Sequence, residues 1–105
     1  MKFFIIEITY RAPLTEIDRA LSAHRQFLQN AYNQNRLLLS GPQTPRTGGI
    51  IVARGQSLDE VQAFFAADPY QMAKLASYRF IEFAPAKHLP AIADWVGGET
   101  QASKP

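Results

Sequence analysis

Apolar residues along the chain switch between two periods, and the switches mark the elements. From Lys2 to Tyr10, Phe4, Ile6, Ile8 and Tyr10 alternate with Phe3, Ile5, Glu7 and Thr9, and the stretch is rich in β-branched and aromatic residues. That pattern predicts a strand. After Ala12-Pro13 the period lengthens. Ile17, Ala20, Leu21, Phe27, Leu28 and Ala31 recur at three- and four-residue steps, which predicts one long amphipathic helix over Leu14–Asn35. Thr15 is its expected N-cap. Glu16 and Asp18 fall in the first turn, where the helix dipole favours negative charge. His24 sits inside the apolar stripe, three residues after Leu21 and four before Leu28.

The rest of the chain is shorter-paced. Arg36–Ser40 is a short strand stopped by Gly41-Pro42, and Pro42–Thr47, with two prolines, is a loop. Gly48-Gly49 is the expected turn or bulge before a strand over Ile50–Arg54, which Gly55 ends. Ser57-Leu58-Asp59-Glu60 is a capping box. Its helix runs to about Ala67 and presents Leu58, Val61, Phe64 and Phe65. Asp68 then caps a second, short helix over Pro69–Ala76, with Pro69 at its first position. Tyr78–Ala84 is the last strand. Pro85–Pro90 is a linker, Ala91–Val96 forms helical turns that group Ile92, Trp95 and Val96, and Glu99–Pro105 is expected to be a disordered tail.

Strand, helix, strand, strand, helix, strand predicts an α+β, ferredoxin-like βαββαβ fold, a four-stranded antiparallel sheet with two main helices on one face. The uncovered face carries Phe3, Ile5 and the matching apolar positions of the other strands, mixed with Glu7, Ser40 or Arg54. Alternation does not fix which set faces which side in every strand, but neither set is polar enough for water. A contiguous apolar sheet face marks a partner surface, and the expected partner is a second copy, a homodimer through the sheet.

Composition narrows the function. The chain has 105 residues, 47% apolar and 19% charged, which suits one globular domain. Net charge is +2 and the isoelectric point near 9.2, but the eleven basic residues are scattered and form no run. Nucleic-acid binding is therefore not expected. No segment approaches the roughly 20 apolar residues of a membrane span, and Phe3–Ile6 is too short for a signal core, so no membrane partner and a cytoplasmic location are expected. With no cysteine, disulfides, zinc-thiolate sites and a cysteine nucleophile are excluded. Gly48-Gly49 lacks the Lys-Ser/Thr of a phosphate loop. His88, in the Pro-flanked linker, has no close ligand spacing to His24, and neither a metal nor an organic cofactor is implied.

The order of motifs is more specific than any one of them. A helical His24, then Arg36-Leu-Leu-Leu-Ser-Gly-Pro42, then Ser57-Leu-Asp-Glu60, then Ala67-Asp-Pro-Tyr70 before the last strand resembles the YciI-like family, the YCII-related domain. The resemblance covers residues 1–86 and leaves 87–105 as a C-terminal extension. It implies a dimer related to the dimeric α/β barrels, such as muconolactone isomerases, and an active site made from a His and an Asp, here His24 and Asp68. Most members of the family lack an assigned reaction, and a dehydrochlorinase acting on a chlorinated hydroxyquinone-type compound is similar. The short loop between Pro42 and Gly48 and the tail after Pro85 depart from the family pattern, so the resemblance does not extend to a substrate.

The pair has a chemistry of its own. Imidazole, with an ordinary pKa of about 6.5, is a base near neutrality. A carboxylate bonded to one ring nitrogen fixes the tautomer, frees the other nitrogen and stabilises the imidazolium. Such a pair suits proton abstraction beside a carbonyl, then elimination or double-bond migration. The plainer readings stay open: His24 as a packed core residue and Asp68 as a helix cap. Tyr70 either lines the same pocket or packs under the last strand. Ser40 either offers a hydroxyl to a ligand or is a solvated strand end. The expected function is thus a small enzyme using His24 and Asp68 for acid–base work on a small organic molecule. Its alternative is a non-catalytic dimer that binds a small ligand or regulates a partner.

Overall fold

The computed structural model describes residues 1–97, and the expected tail over 99–105 lies outside them. The elements are β1 (Lys2–Tyr10), α1 (Leu14–Asn33), β2 (Leu37–Pro42), β3 (Gly48–Gly55), α2 (Leu58–Phe65), α3 (Pro69–Met72) and β4 (Ala76–Phe83), followed by a 3-10 turn at Pro90–Ile92. The strands form one antiparallel sheet in the order β2-β3-β1-β4. This is the ferredoxin-like α+β arrangement.

The two central strands carry the core. Ile6 lies between Ile51 and Phe80, and Ile8 between Gly49 and Tyr78, so the even-numbered residues of β1 face the helices. Phe4 and Ile6 are wholly buried there, against Ala31 of α1 and Val61 and Phe65 of α2. Removing such side chains costs about 3 kcal/mol or more apiece, because the space cannot fully collapse.

Several boundaries differ from the sequence pattern, for local reasons. Helix α1 starts at Leu14 with Pro13, not Thr15, at its N-cap, and no side chain caps it. Proline disfavours helical backbone at Ala12, and its carbonyl accepts from the amides of Glu16 and Ile17, so Thr15 falls inside the first turn. The helix ends at Asn33 because Asn35 adopts a left-handed conformation (φ 59°). The Arg36 and Asn35 amides then bond back to the Ala31 and Tyr32 carbonyls, a Schellman closure. Lys74 (φ 57°) repeats the device, with the Leu75 and Lys74 amides on the Tyr70 and Gln71 carbonyls. Helix α3 therefore stops at Met72, and Ala76 belongs to β4 rather than to the helix. Helix α2 likewise ends at Phe65, two residues before Ala67.

Strand β2 runs on to Pro42, which pairs with Gly49 instead of stopping the strand. It is an edge strand, where a missing amide is tolerated. Gly48 and Gly49 are ordinary ladder positions of β3. A Cβ on Gly48 would stand 1.7 Å from the Ile8 carbonyl oxygen, so only glycine fits there. A register shift between Leu37 and Leu39 turns Leu37 toward the helices and Leu39 outward. It also places Ser40, whose face alternation alone leaves open, on the helix side beside Ile51.

The outer face carries Ile5, Val52, Ile81, Phe83 and Leu39, with Glu7 and Arg79 side by side among them. One end of it is covered by the chain's own C-terminal turns. The Trp95 ring packs on Phe3 with centroids 5.5 Å apart, and the Arg54 guanidinium lies over the same indole.

Candidate functional site

His24 is brought to Asp68 by two local habits of the chain. The stripe of α1 turns the imidazole inward, leaving it 8% exposed, and the helix-breaking Asp68-Pro69 step sets the carboxylate at the start of α3, wholly buried. The two meet over 44 residues of sequence, with His24 Nδ1 2.8 Å and 3.0 Å from the carboxylate oxygens. Asp68 also accepts the backbone amide of Tyr70 at 3.1 Å, so it caps α3 and holds the imidazole at once. The Tyr78 hydroxyl donates to its other oxygen. Three donors converging on one carboxylate match an ionised acceptor, which makes Nδ1 the protonated nitrogen. Nε2 has no hydrogen-bond partner among the described residues and belongs to a side chain that lines a cavity.

Capping also sets Tyr70. Its ring stacks on the His24 imidazole, centroids 3.9 Å apart and planes within 9°. The ring is 1% exposed, and its hydroxyl has no hydrogen-bond partner among the described residues. Burial, more than the neighbouring Tyr10, pushes this phenol up to about 12. The Tyr78 phenol is raised further, first by burial and then by the Asp68 charge. Both phenols are therefore neutral donors at ordinary pH.

The cavity holds about 480 Å³ and opens between α1 and the β2–β3 side of the sheet. That is the size range of small-molecule sites. Leu21, Leu28, Ile8 and Ile51 give it apolar walls, and Gly41 and Gly49 lie along its sheet side, where no side chain fills the space. Ser40 lines it too, half-buried and 2.7 Å from the Tyr32 hydroxyl. His24, Tyr70 and Ser40 thus share one cavity with Asp68 behind them. His88 does not line it and bonds instead to the Leu89 carbonyl.

Three polar residues here were not singled out by the sequence. Tyr78 read only as an alternating strand position. Tyr10 read as the last core position of β1. Arg46 was one scattered arginine in a proline-rich loop, yet it reaches Asp18 on α1 at 2.6 Å and lies over the Tyr10 ring. Only the register of β1 with β4, and the fold of the β2–β3 loop against α1, bring them to the site.

The profile of the YCII-related domain matches residues 1–84, and the chain belongs to that family. No functionally curated protein matches it. Among solved structures it is similar to 5-chloro-2-hydroxyhydroquinone dehydrochlorinase (TftG) from Burkholderia phenoliruptrix AC1100, in complex with 2,5-dihydroxybenzoquinone. The identity is 22% and the TM-score 0.63, over 77% of this chain and 90% of that one. The likeness is one of fold.

Proposed function

We propose that this member of the YCII-related domain family is a small acid–base enzyme in which His24, oriented by Asp68, moves a proton on a small oxygenated organic molecule. The observation that carries the reading is the imidazole itself, held through Nδ1 by a buried carboxylate while its other nitrogen stands free at a cavity. Nε2 takes a proton from a hydroxyl or from a carbon beside a carbonyl, and Asp68 stabilises the imidazolium. The electron pair left behind either expels a leaving group, completing an elimination, or shifts a double bond before the proton returns elsewhere. Tyr70 lies against the imidazole face and holds the ring plane. The fold shared with a dehydrochlorinase supports elimination as the first reaction to try.

The working unit in this reading is a homodimer joined through the outer sheet face. Leu39 at 55%, Phe83 at 38% and Ile81 at 36% exposure support it, since a second copy would cover them. Analytical ultracentrifugation at micromolar concentration should give the mass of two chains, and a single-chain mass would contradict the dimer.

The catalytic reading is tested with chlorinated hydroxyhydroquinones, following chloride release. Turnover should fall by roughly 10²–10⁴-fold in His24→Gln while its circular dichroism matches the parent. Binding without turnover in the parent protein would favour the non-catalytic ligand-binding alternative.

A further inference from the structure

Six polar side chains line the cavity: Tyr10, His24, Arg25, Ser40, Arg46 and Tyr70. Five of them can donate a hydrogen bond into it, two are permanent cations, none is a carboxylate, and the sixth, His24, turns its base nitrogen to the ligand. Asp68 stands behind His24 with both oxygens engaged. Asp18 of α1 does not line the cavity, and Arg46 holds it. A wall so rich in donors and so poor in acceptors is complementary to a ligand that accepts hydrogen bonds and carries negative charge.

Two of these donors are poised for such a ligand. The Tyr70 hydroxyl is buried with no partner among the described residues, a state that costs free energy unless something fills it. Arg46 spends one amino group on Asp18 and lies 5.7 Å from the centre of the Tyr10 ring, leaving the rest of its fork for other acceptors. Between them run flat surfaces: Tyr10 sits edge-on to Tyr70 at 6.0 Å, and Tyr70 stacks on His24. The remaining walls are aliphatic. A compact hydrated ion would lose its water against those walls without replacement, whereas a flat conjugated ring would bury its faces there.

We infer that the cavity is built for a planar conjugated ring bearing an ionised oxygen, such as a phenolate, an enolate or a hydroxyquinone anion, with Arg46 and the Tyr70 hydroxyl as the groups that bind its oxygens. The inference rests on the acid–base reading of the same cavity and adds its substrate class. It also gives Asp18 a role. As the competing anion on Arg46, it holds the guanidinium at the mouth between α1 and the β2–β3 loop and yields part of that contact when the ligand arrives.

The probe is 2,5-dihydroxybenzoquinone in its ionised form, against its neutral dimethyl ether, with binding read by calorimetry on the full chain. The anion should bind at least roughly tenfold more tightly than the ether, and more weakly as salt rises. Arg46→Gln should weaken the anion roughly ten- to hundredfold and leave the ether unchanged. Asp18→Asn should tighten the anion. Tyr70→Phe should weaken it about tenfold. An ether that binds as well as the anion, with Arg46→Gln silent, would overturn the inference and leave the catalytic reading standing. An anion that binds through Arg46 but never reacts would support the inference and count against the catalytic reading alone. Binding of neither compound would overturn the inference.

Discussion

Asp68 and Glu60 are both acidic residues at helix starts, and each reaches a base from a distant part of the chain, His24 over 44 residues and Arg36 over 24. The surroundings part them. Glu60 lies in the capping box of α2, where its own amide donates to the Ser57 hydroxyl, and its carboxylate takes the Gln56 amide and the Arg36 guanidinium. The charged groups at that end are answered, although the buried Trp95 indole N–H beside them has no partner among the described residues: Arg36 also bonds Gln34 and lies over Phe64, and Arg54 bonds the Asn35 and Trp95 carbonyls. The Glu60 side chain is 34% exposed, whereas that of Asp68 is wholly buried. At the Asp68 end the constellation stops short of completion: among the described residues, neither His24 Nε2 nor the Tyr70 hydroxyl has a hydrogen-bond partner, and both side chains line a cavity. A closed polar network holds a fold together, and one left open on a single side is fit to hold a ligand.

The sharpest way to break this contrast is to remove each carboxylate. Asp68→Ala strands three donors in a dry site and should destabilise the protein by about 3 kcal/mol or more. Denaturant unfolding measures it, and a loss under about 1 kcal/mol would mean the donors find other partners. Tyr78→Phe, which takes away one of the three, should cost about 1.5 kcal/mol by the same measurement.

Alkaline pH probes the buried phenols together. The Tyr70 phenol titrates near 12 in the folded chain, above the ordinary value of 10. A folded value raised in this way means that the native state keeps a proton the unfolded chain gives up. Its stabilisation is therefore lost as pH rises from about 10 toward 12. Unfolding followed against phenolate absorbance should show that loss shrink in Tyr70→Phe.

Glu60→Gln should be the mildest change, under about 1 kcal/mol, because a third of the side chain meets water. The Arg36 hydrogen bond holds this carboxyl below its ordinary value of 4.5. A depressed folded value means that its contribution is complete above 4.5 and disappears as pH falls through the folded value. The parent and the variant should differ at neutral pH and converge in acid.

The same contrast explains what could be read from the chain beforehand. The Glu60 end announces itself locally, since Ser57 and Glu60 stand three residues apart, and α2 begins where they say. Period-two and period-four patterns likewise place β1 and α1. The His24–Asp68 pairing was legible through an inward-facing histidine and an Asp-Pro step. Their supporting groups were not, because nothing near Tyr78 or Arg46 in sequence marks them as neighbours of Asp68 or Asp18. The face that Ser40 takes is not legible, because strict alternation has no means of registering the shift between Leu37 and Leu39.

The central claim is that Asp68 fixes one nitrogen of His24 and frees the other for proton transfer. Nitrogen NMR of the His24 ring across neutral pH tests it most directly. The account predicts that Nδ1 stays protonated on Asp68 throughout while Nε2 gains and loses the proton, and that Asp68→Asn alters this behaviour. A ring that never exchanges a proton at Nε2, or one whose Nδ1 is bare at neutral pH, would contradict it.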